Sequence, residues 1–264
     1  MHPADFPLDG YFERVGITGM PRADETGLQA LHAAQAFSIP FENLDIHLGR
    51  TVSLKPEDLV EKIVFRKRGG YCFELNQLLR MALAGCGFRV RPVLARVLYQ
   101  RTEPGPLTHE ALIVTLSGRD WLCDTGFGGP GLRLPLPMTA RRISEQYGEK
   151  FRLQRSPDGE WVLQKETTEG FITLYTFLDL PALDVDIEMS NHFTSTWPAS
   201  IFRLHRMCAL LKPAGRVALL DRELTLQENG RSRKKRVPAG PEYMEALSGY
   251  FGIELGTEYE DFIL

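Results

Sequence analysis

The sequence predicts an α+β protein, on three observations. Residues from about 24 to 86 carry apolar side chains at helical spacing. Residues from about 88 to 180 break into short strands separated by turn signals, and the stretch from about 185 onward mixes both textures. At 264 residues, 43% hydrophobic and 25% charged, the chain can bury a sizeable core, as one large domain or as two or three cooperating modules.

Leu28, Leu31, Ala34 and Phe37 recur at helical spacing, Pro40 ends that run, and the loop FENLD follows. Pro56 suits a first helical turn, with Leu59, Ile63 and Val64 as the apolar face. Lys62, Arg66, Lys67 and Arg68 crowd the end of that helix, where the dipole favours cations, and Gly69-Gly70 stops it. A third helix begins near Tyr71 or Cys72, buries Leu75, Leu78, Leu79, Ala82 and Leu83, and closes at Gly85. The segments RVRPVLARVL, EALIVTL, WLCDTGF, FRLQR, WVLQKE and FITLYTFL read as strands of a barrel or strongly curved antiparallel sheet, with turns at 117–120 and 156–159. The stretch MSNHFTSTWPAS reads as loop. Strands follow around Phe202 to Leu220 and Leu224 to Val237, then a terminal helix, PEYMEALSGYFG.

A net charge of −3 gives no basic field of the kind a general nucleic-acid or membrane binder needs. Cys72, Cys86, Cys123 and Cys208 form no CxxC pair. No secretory signal pattern opens the chain, and no apolar run approaches the roughly 20 residues that span a bilayer. Free thiols in a reducing, cytoplasmic compartment are the expectation.

The segment RGGYCFELN, residues 68–76, places Cys72 just after two glycines and in the first turn of a helix. Glycines allow a sharp turn and close approach of a ligand. Unpaired N–H groups and the positive dipole end favour an anion there, so the thiol is expected below its usual ~8.5. The bland alternative is a small buried hydrophobe, the reading kept for Cys86, Cys123 and Cys208 as core or surface thiols. A thiol nucleophile needs a base, and the base an orienting group. Of the six histidines, His2 belongs to the extreme terminus and His32 packs in a helix or faces water. His109 opens a strand after a Pro/Gly-rich loop, at a sheet end where a cleft can form. Asp124, bordered by Leu122 and Cys123, suits a shielded orienting carboxylate.

The geometry carries a difficulty. A tight hairpin at 117–120 sets Asp124 opposite residue 112 or 113, about 10–13 Å along the strand from His109. Parity puts both on one face, so the pair requires a bulge, a shifted register or a bend near Gly126.

The segments PFENLDI (40–46), RGGYCFELN (68–76), THEALIV (108–114), DTGFGG (124–129) and FTSTWPASIF (193–202) resemble those of the arylamine N-acetyltransferases, in the family's order and across most of the chain. The resemblance implies a helical N-terminal bundle at 1–86 carrying the nucleophile and a β-barrel at 87–184 carrying the histidine and aspartate. An α/β lid with its linker would follow at 185–264. It implies a thiol-protease-like triad of Cys72, His109 and Asp124. The reaction would be ping-pong: acetyl-CoA acylates Cys72, and an aromatic amine, hydrazine or N-hydroxyarylamine accepts the acetyl group, as in xenobiotic metabolism. Phe41 and Phe127 would wall the amine pocket. Thr108, Gly128, Gly129 and Phe193 would neighbour the acyl and pantetheine path. The resemblance brings no metal, no nucleic acid and no membrane, and a monomer or weak homodimer. Two positions depart from the family pattern. Thr125 replaces a common valine, and Trp197 stands where a histidine often lies.

Rival readings are a thiol hydrolase or transglutaminase-like enzyme with the same triad, a non-enzymatic acyl-CoA or arylamine scavenger, and a metal site at the three residues. The last lacks any local ligand pair. The basic run Arg231, Arg233, Lys234, Lys235 and Arg236 reads as a solvated hairpin edge guarded by charge rather than a contact for coenzyme phosphates.

Overall fold

In the computed structural model the described residues are 5–263; His2 lies outside them. Helices α1 (Leu8–Val15) and α2 (Glu25–Ser38) open the chain. The Asp24 carboxylate caps α2 by accepting the Gly27 N–H at 2.9 Å. The buried face of α2 is Leu28, Leu31, His32, Gln35 and Ala36, rotated from the apolar spacing of the sequence, with Ala34 and Phe37 only half-buried. FENLD is not a plain loop. Phe41–Glu42 forms strand β1 and Leu44–His47 a helical turn, α3. Helix α4 (Pro56–Leu59) runs directly into a π-helical turn over Val60–Phe65, and α5 spans Cys72–Gly85.

Two of the four cations around that π turn, Lys62 and Arg68, point inward, while Arg66 and Lys67 stay exposed. Arg68 is buried against Glu42 (2.7 Å) and Asp45 (3.2 Å), and Lys62 bridges Asp45 and Glu74, both at 2.7 Å. Glu74 in turn accepts the Tyr71 N–H at 3.0 Å, which ties this network to the start of α5. Gly69 and Gly70 are needed for close approach: a Cβ on Gly69 would sit 2.0 Å from the Pro40 carbonyl oxygen, and one on Gly70 2.7 Å from Glu74 Cβ.

Eight antiparallel strands follow: β2 (Arg89–Val97), β3 (Leu107–Leu116), β4 (Arg119–Cys123), β5 (Leu136–Pro137), β6 (Ile143–Gln146), β7 (Glu149–Arg155), β8 (Trp161–Thr167) and β9 (Gly170–Phe177). Their order β5-β4-β3-β2-β9-β8-β7-β6 makes a nearly closed barrel, and Ala140 bridges Leu153 beside the gap. The short strands β5 and β6 have no signal in the sequence pattern, because two to four residues are too few to show a period.

Helix α6 (Asp184–Thr196) replaces the loop expected at MSNHFTST. Its Ser and Thr hydroxyls bond back along the helix, as in Thr194 to the Ser190 carbonyl (2.7 Å) and Thr196 to that of His192 (2.6 Å). Residues that favour loops when their hydroxyls compete with the backbone are here absorbed into it. Phe202 belongs to a helical turn, α7 (Ile201–Leu204), not to a strand. Strands β10 (Met207–Lys212), β11 (Gly215–Leu220), β12 (Glu223–Glu228) and β13 (Arg231–Arg236) form a meander, and α8 (Pro241–Phe251) packs on it. Strand β1 pairs with β10, Phe41 opposite Ala209, so an N-terminal segment completes the C-terminal sheet, ordered β1-β10-β11-β12-β13. The basic strand β13 is the exposed edge of that sheet.

Among the described residues, apolar burial falls into three clusters, among the helices, inside the barrel, and between the five-stranded sheet and α8. Among the described residues, no helix is long and apolar enough to cross a membrane.

Candidate active site

Cys72 is the first residue of α5, and α5 packs against β3. Its thiol points at the Thr108 carbonyl oxygen, 3.7 Å away, and the N–H groups of Glu110 and Phe73 also bear on the sulfur. The sulfur therefore rests on the stretch of β3 that contains His109. Beside it, β2 and β3 lose register: His109 faces Ala95 and Leu107 faces Arg96, leaving Thr108 as the extra residue of a bulge. Thr108 lines an apolar cleft of about 630 Å³ that Phe193 of α6 also lines.

The His109–Asp124 difficulty resolves by register and reach. The hairpin is a two-residue turn, Ser117-Gly118, with φ of +48° and +75°, and Leu112 faces Cys123. Continuing that pairing sets Asp124 opposite Ala111, two residues from His109 rather than three or four. Strand β4 ends at Cys123, the backbone bends, and His109 Nε2 donates to Asp124 Oδ2 at 2.8 Å. Asp124 Oδ1 accepts from Asn76 Nδ2 (3.0 Å) and from the Gly126 N–H (2.8 Å). Burial alone would raise this carboxyl, but the His109 charge and these three donors hold it below its usual range. An ionised Asp124 keeps the proton on Nε2 and leaves Nδ1 as the basic nitrogen of His109.

The thiol departs from expectation. Cys72 is only 2% exposed, and burial pushes its pKa well up, while the Glu110 and Phe73 N–H groups pull the other way without prevailing. The helix entrance is present, but removal of water outweighs it.

Two residues without a role in the sequence reading complete the cluster. Asn76 donates to Asp124 and to the Glu110 carbonyl (2.6 Å) and accepts the Thr125 N–H (3.1 Å). Its signal was present: four residues past Cys72, it shares that face of α5. His32 is fully buried. Its Nε2 accepts the Asp124 N–H at 3.1 Å, so its Nδ1–H donates to the Arg133 carbonyl at 3.2 Å. Its signal was a place in the α2 stripe, four residues after Leu28.

Burial pushes the pKa of His32 down from 6.5 to about 4, against the opposing pull of the Arg133 carbonyl and the Asp124 charge. In the unfolded chain His32 binds a proton near its ordinary value, so its contribution is full above about pH 6.5 and is lost as pH falls toward 4. The loss is on the order of 3 kcal/mol. Urea midpoints measured between pH 7.5 and 4.5 should fall accordingly. His32→Gln, which can still accept from the Asp124 N–H, should flatten that profile; an unaltered slope would refute the assignment.

Of the other positions singled out in the sequence, Phe127 joins the cluster around His109 directly. Its ring meets His109 edge-on at 5.1 Å and Tyr175 at 5.2 Å. Phe41, on β1, is 6.2 Å from Phe202, and its ring would be 3.4 Å from a Cβ on Gly128. Gly126 is pressed on the backbone of Cys72: a Cβ there would stand 2.7 Å from Cys72 Cα. Gly129 turns away, and its carbonyl accepts from Arg216 Nη1 at 2.9 Å. Phe193, stacked on Trp197 at 5.4 Å, lines the same cleft as Thr108. Among the described residues, no group of three or more His, Cys, Asp or Glu side chains is arranged to hold a metal ion.

The family model described as N-acetyltransferase matches residues 25–259. An arylamine N-acetyltransferase of Mycolicibacterium smegmatis is 37% identical over 255 residues, covering 94% of this chain and 92% of that protein. The structure of arylamine N-acetyltransferase from Salmonella typhimurium superposes with a TM-score of 0.91 at 32% identity, covering 96% of this chain and 95% of the other. That of Mycobacterium marinum arylamine N-acetyltransferase, solved in complex with CoA, gives 0.90 at 32% identity, covering 97% and 96%.

Proposed function

The chain belongs to the arylamine N-acetyltransferase family, and from that premise we propose that it moves an acetyl group from acetyl-CoA to an aromatic amine, hydrazine or N-hydroxyarylamine by way of a thioester on Cys72. One observation carries the reading. A thiol sits against the bulged strand end that bears His109, and the far nitrogen of that imidazole is held by an ionised carboxylate.

Because burial disfavours a free thiolate, the proton leaves Cys72 for His109 Nδ1 as the acyl group is engaged, and the ion pair is made inside the site. The sulfur then attacks the thioester carbonyl. Donors near Cys72 steady the oxyanion, each worth ~2.7–4 kcal/mol where such donors have been removed elsewhere. The carbon–sulfur bond to coenzyme A breaks, and coenzyme A leaves with the proton held by His109. A neutral arylamine next attacks acetyl-Cys72, gives its proton to His109, and the returning sulfur recovers it. The rings of Phe41 and Phe127 suit a flat aromatic acceptor and limit entry of water. A sulfur this enclosed accepts substrate only after a side chain at the rim turns aside.

Intact-mass spectrometry tests the reading. Mixing with acetyl-CoA alone should add about 42 Da, mapping to Cys72, and an aromatic amine should then remove it as the amide. Release of free acetate with no amide would favour the hydrolase instead.

A further inference from the structure

Where the barrel meets the five-stranded sheet, two cations share one carboxylate and a third stands near them. Arg133 Nη1 and Lys165 Nζ both bind Glu149 Oε2, the lysine at 2.7 Å. Arg216, on β11, has no acidic partner among the described residues, and its Nη1 donates to the Gly129 carbonyl. Arg133 and Lys165 are buried and Arg216 half-buried. The Arg133 Nε is itself buried without a hydrogen-bond partner. Burial pushes Lys165 down, Glu149 pushes it back up, and the charges of Arg216 and Arg133 depress it again. An excess of positive charge out of full contact with water is unfavourable until an anion joins it.

Position indicates which anion. Gly126 lies against Cys72, and Gly129, which Arg216 grips, is three residues further on, a span of at most about 11 Å. A donor whose thioester reacts at Cys72 has its remaining length to lay along this loop. A guanidinium is also the side chain best shaped to take phosphate oxygens in pairs.

We infer that Arg216, backed by Lys165 and Arg133, seats a phosphate group of the nucleotide end of the acyl donor, an assignment that rests on the acetyl-CoA reading above. The competing role is a clasp: Arg133 donates to the Gly215 carbonyl at 3.2 Å while Arg216 donates to that of Gly129, each side of the junction holding the other.

Calorimetric titration with CoA and with pantetheine, which lacks the nucleotide, separates the two roles. Wild type should bind CoA more tightly than pantetheine. Arg216→Gln should reduce that preference about tenfold and flatten the salt dependence of CoA binding. Arg216→Lys, which keeps the charge but not the fork, should fall between them. Equal weakening of both ligands marks a clasp and overturns the seat, as does no weakening of either. Wild type that is acetylated on Cys72 yet binds the two ligands equally overturns the seat alone. Absence of acetylation removes the donor reading, and the seat with it.

Discussion

Cys72→Ser is expected to abolish acetyl transfer, lowering turnover by at least about 10³-fold and eliminating the acetyl adduct. The substitution changes one atom in a buried position, so the fold should persist. What changes is acidity. A hydroxyl at the same site faces the same loss of water that already pushes the thiol up, but begins from a far weaker acid. His109 then has no proton it can draw off at a useful rate. Near-UV circular dichroism should match wild type, while intact mass after acetyl-CoA should stay that of the free protein. A serine variant that turns over at wild-type rate would mean that the chain binds acyl groups or amines without a covalent stage, as a scavenger does.

Asp124→Asn should cost about 10³–10⁴-fold in acylation rate, through the wrong tautomer rather than through lost structure. The carboxylate presents two acceptors: Oδ2 takes the His109 N–H, and Oδ1 takes Asn76 and Gly126. An asparagine has a single acceptor. If its oxygen stays with Asn76 and Gly126, its NH₂ group turns to His109 and demands a lone pair on Nε2, which moves the ring proton to Nδ1. The imidazole can then no longer accept from the thiol. The split between constants is diagnostic: the acylation rate should collapse while affinity for CoA changes little. A variant within tenfold of wild type in single-turnover acylation would remove Asp124 from its proposed role.

What was legible in the chain followed local rules. The helical period of α5, the strand patterning of the barrel and the turn residues Ser117-Gly118 each express a preference that neighbouring residues satisfy among themselves. The illegible parts depend on distant partners. His32 reads as an ordinary helical histidine until the Asp124 N–H arrives from ninety-two residues away. Lys62 and Arg68 read as cations at a helix end until Glu42, Asp45 and Glu74 surround them. The thiol was misjudged for a related reason. A helix entrance is visible in sequence, whereas the depth of its burial is a property of everything packed over it. Helix α6 was missed because its hydroxyls could satisfy either a loop or a helix, and packing decided between them. Of a bulge, a shifted register or a bend, the His109–Asp124 pair uses the Leu112–Cys123 register and the bend after Cys123, a choice that the pattern of β3 alone does not express.

The pairing of β1 with β10 sets how the chamber can breathe. A cover joined only by its linker could hinge away from the floor that bears Cys72. Here the terminal meander carries a strand drawn from the opposite end of the polypeptide, sutured by main-chain pairing at Phe41 and Glu42 themselves. Swinging that cover outward would mean unzipping the seam, so admission and exit fall to rotations of individual rings, and broader acyl scope should be sought at those rings rather than at a hinge.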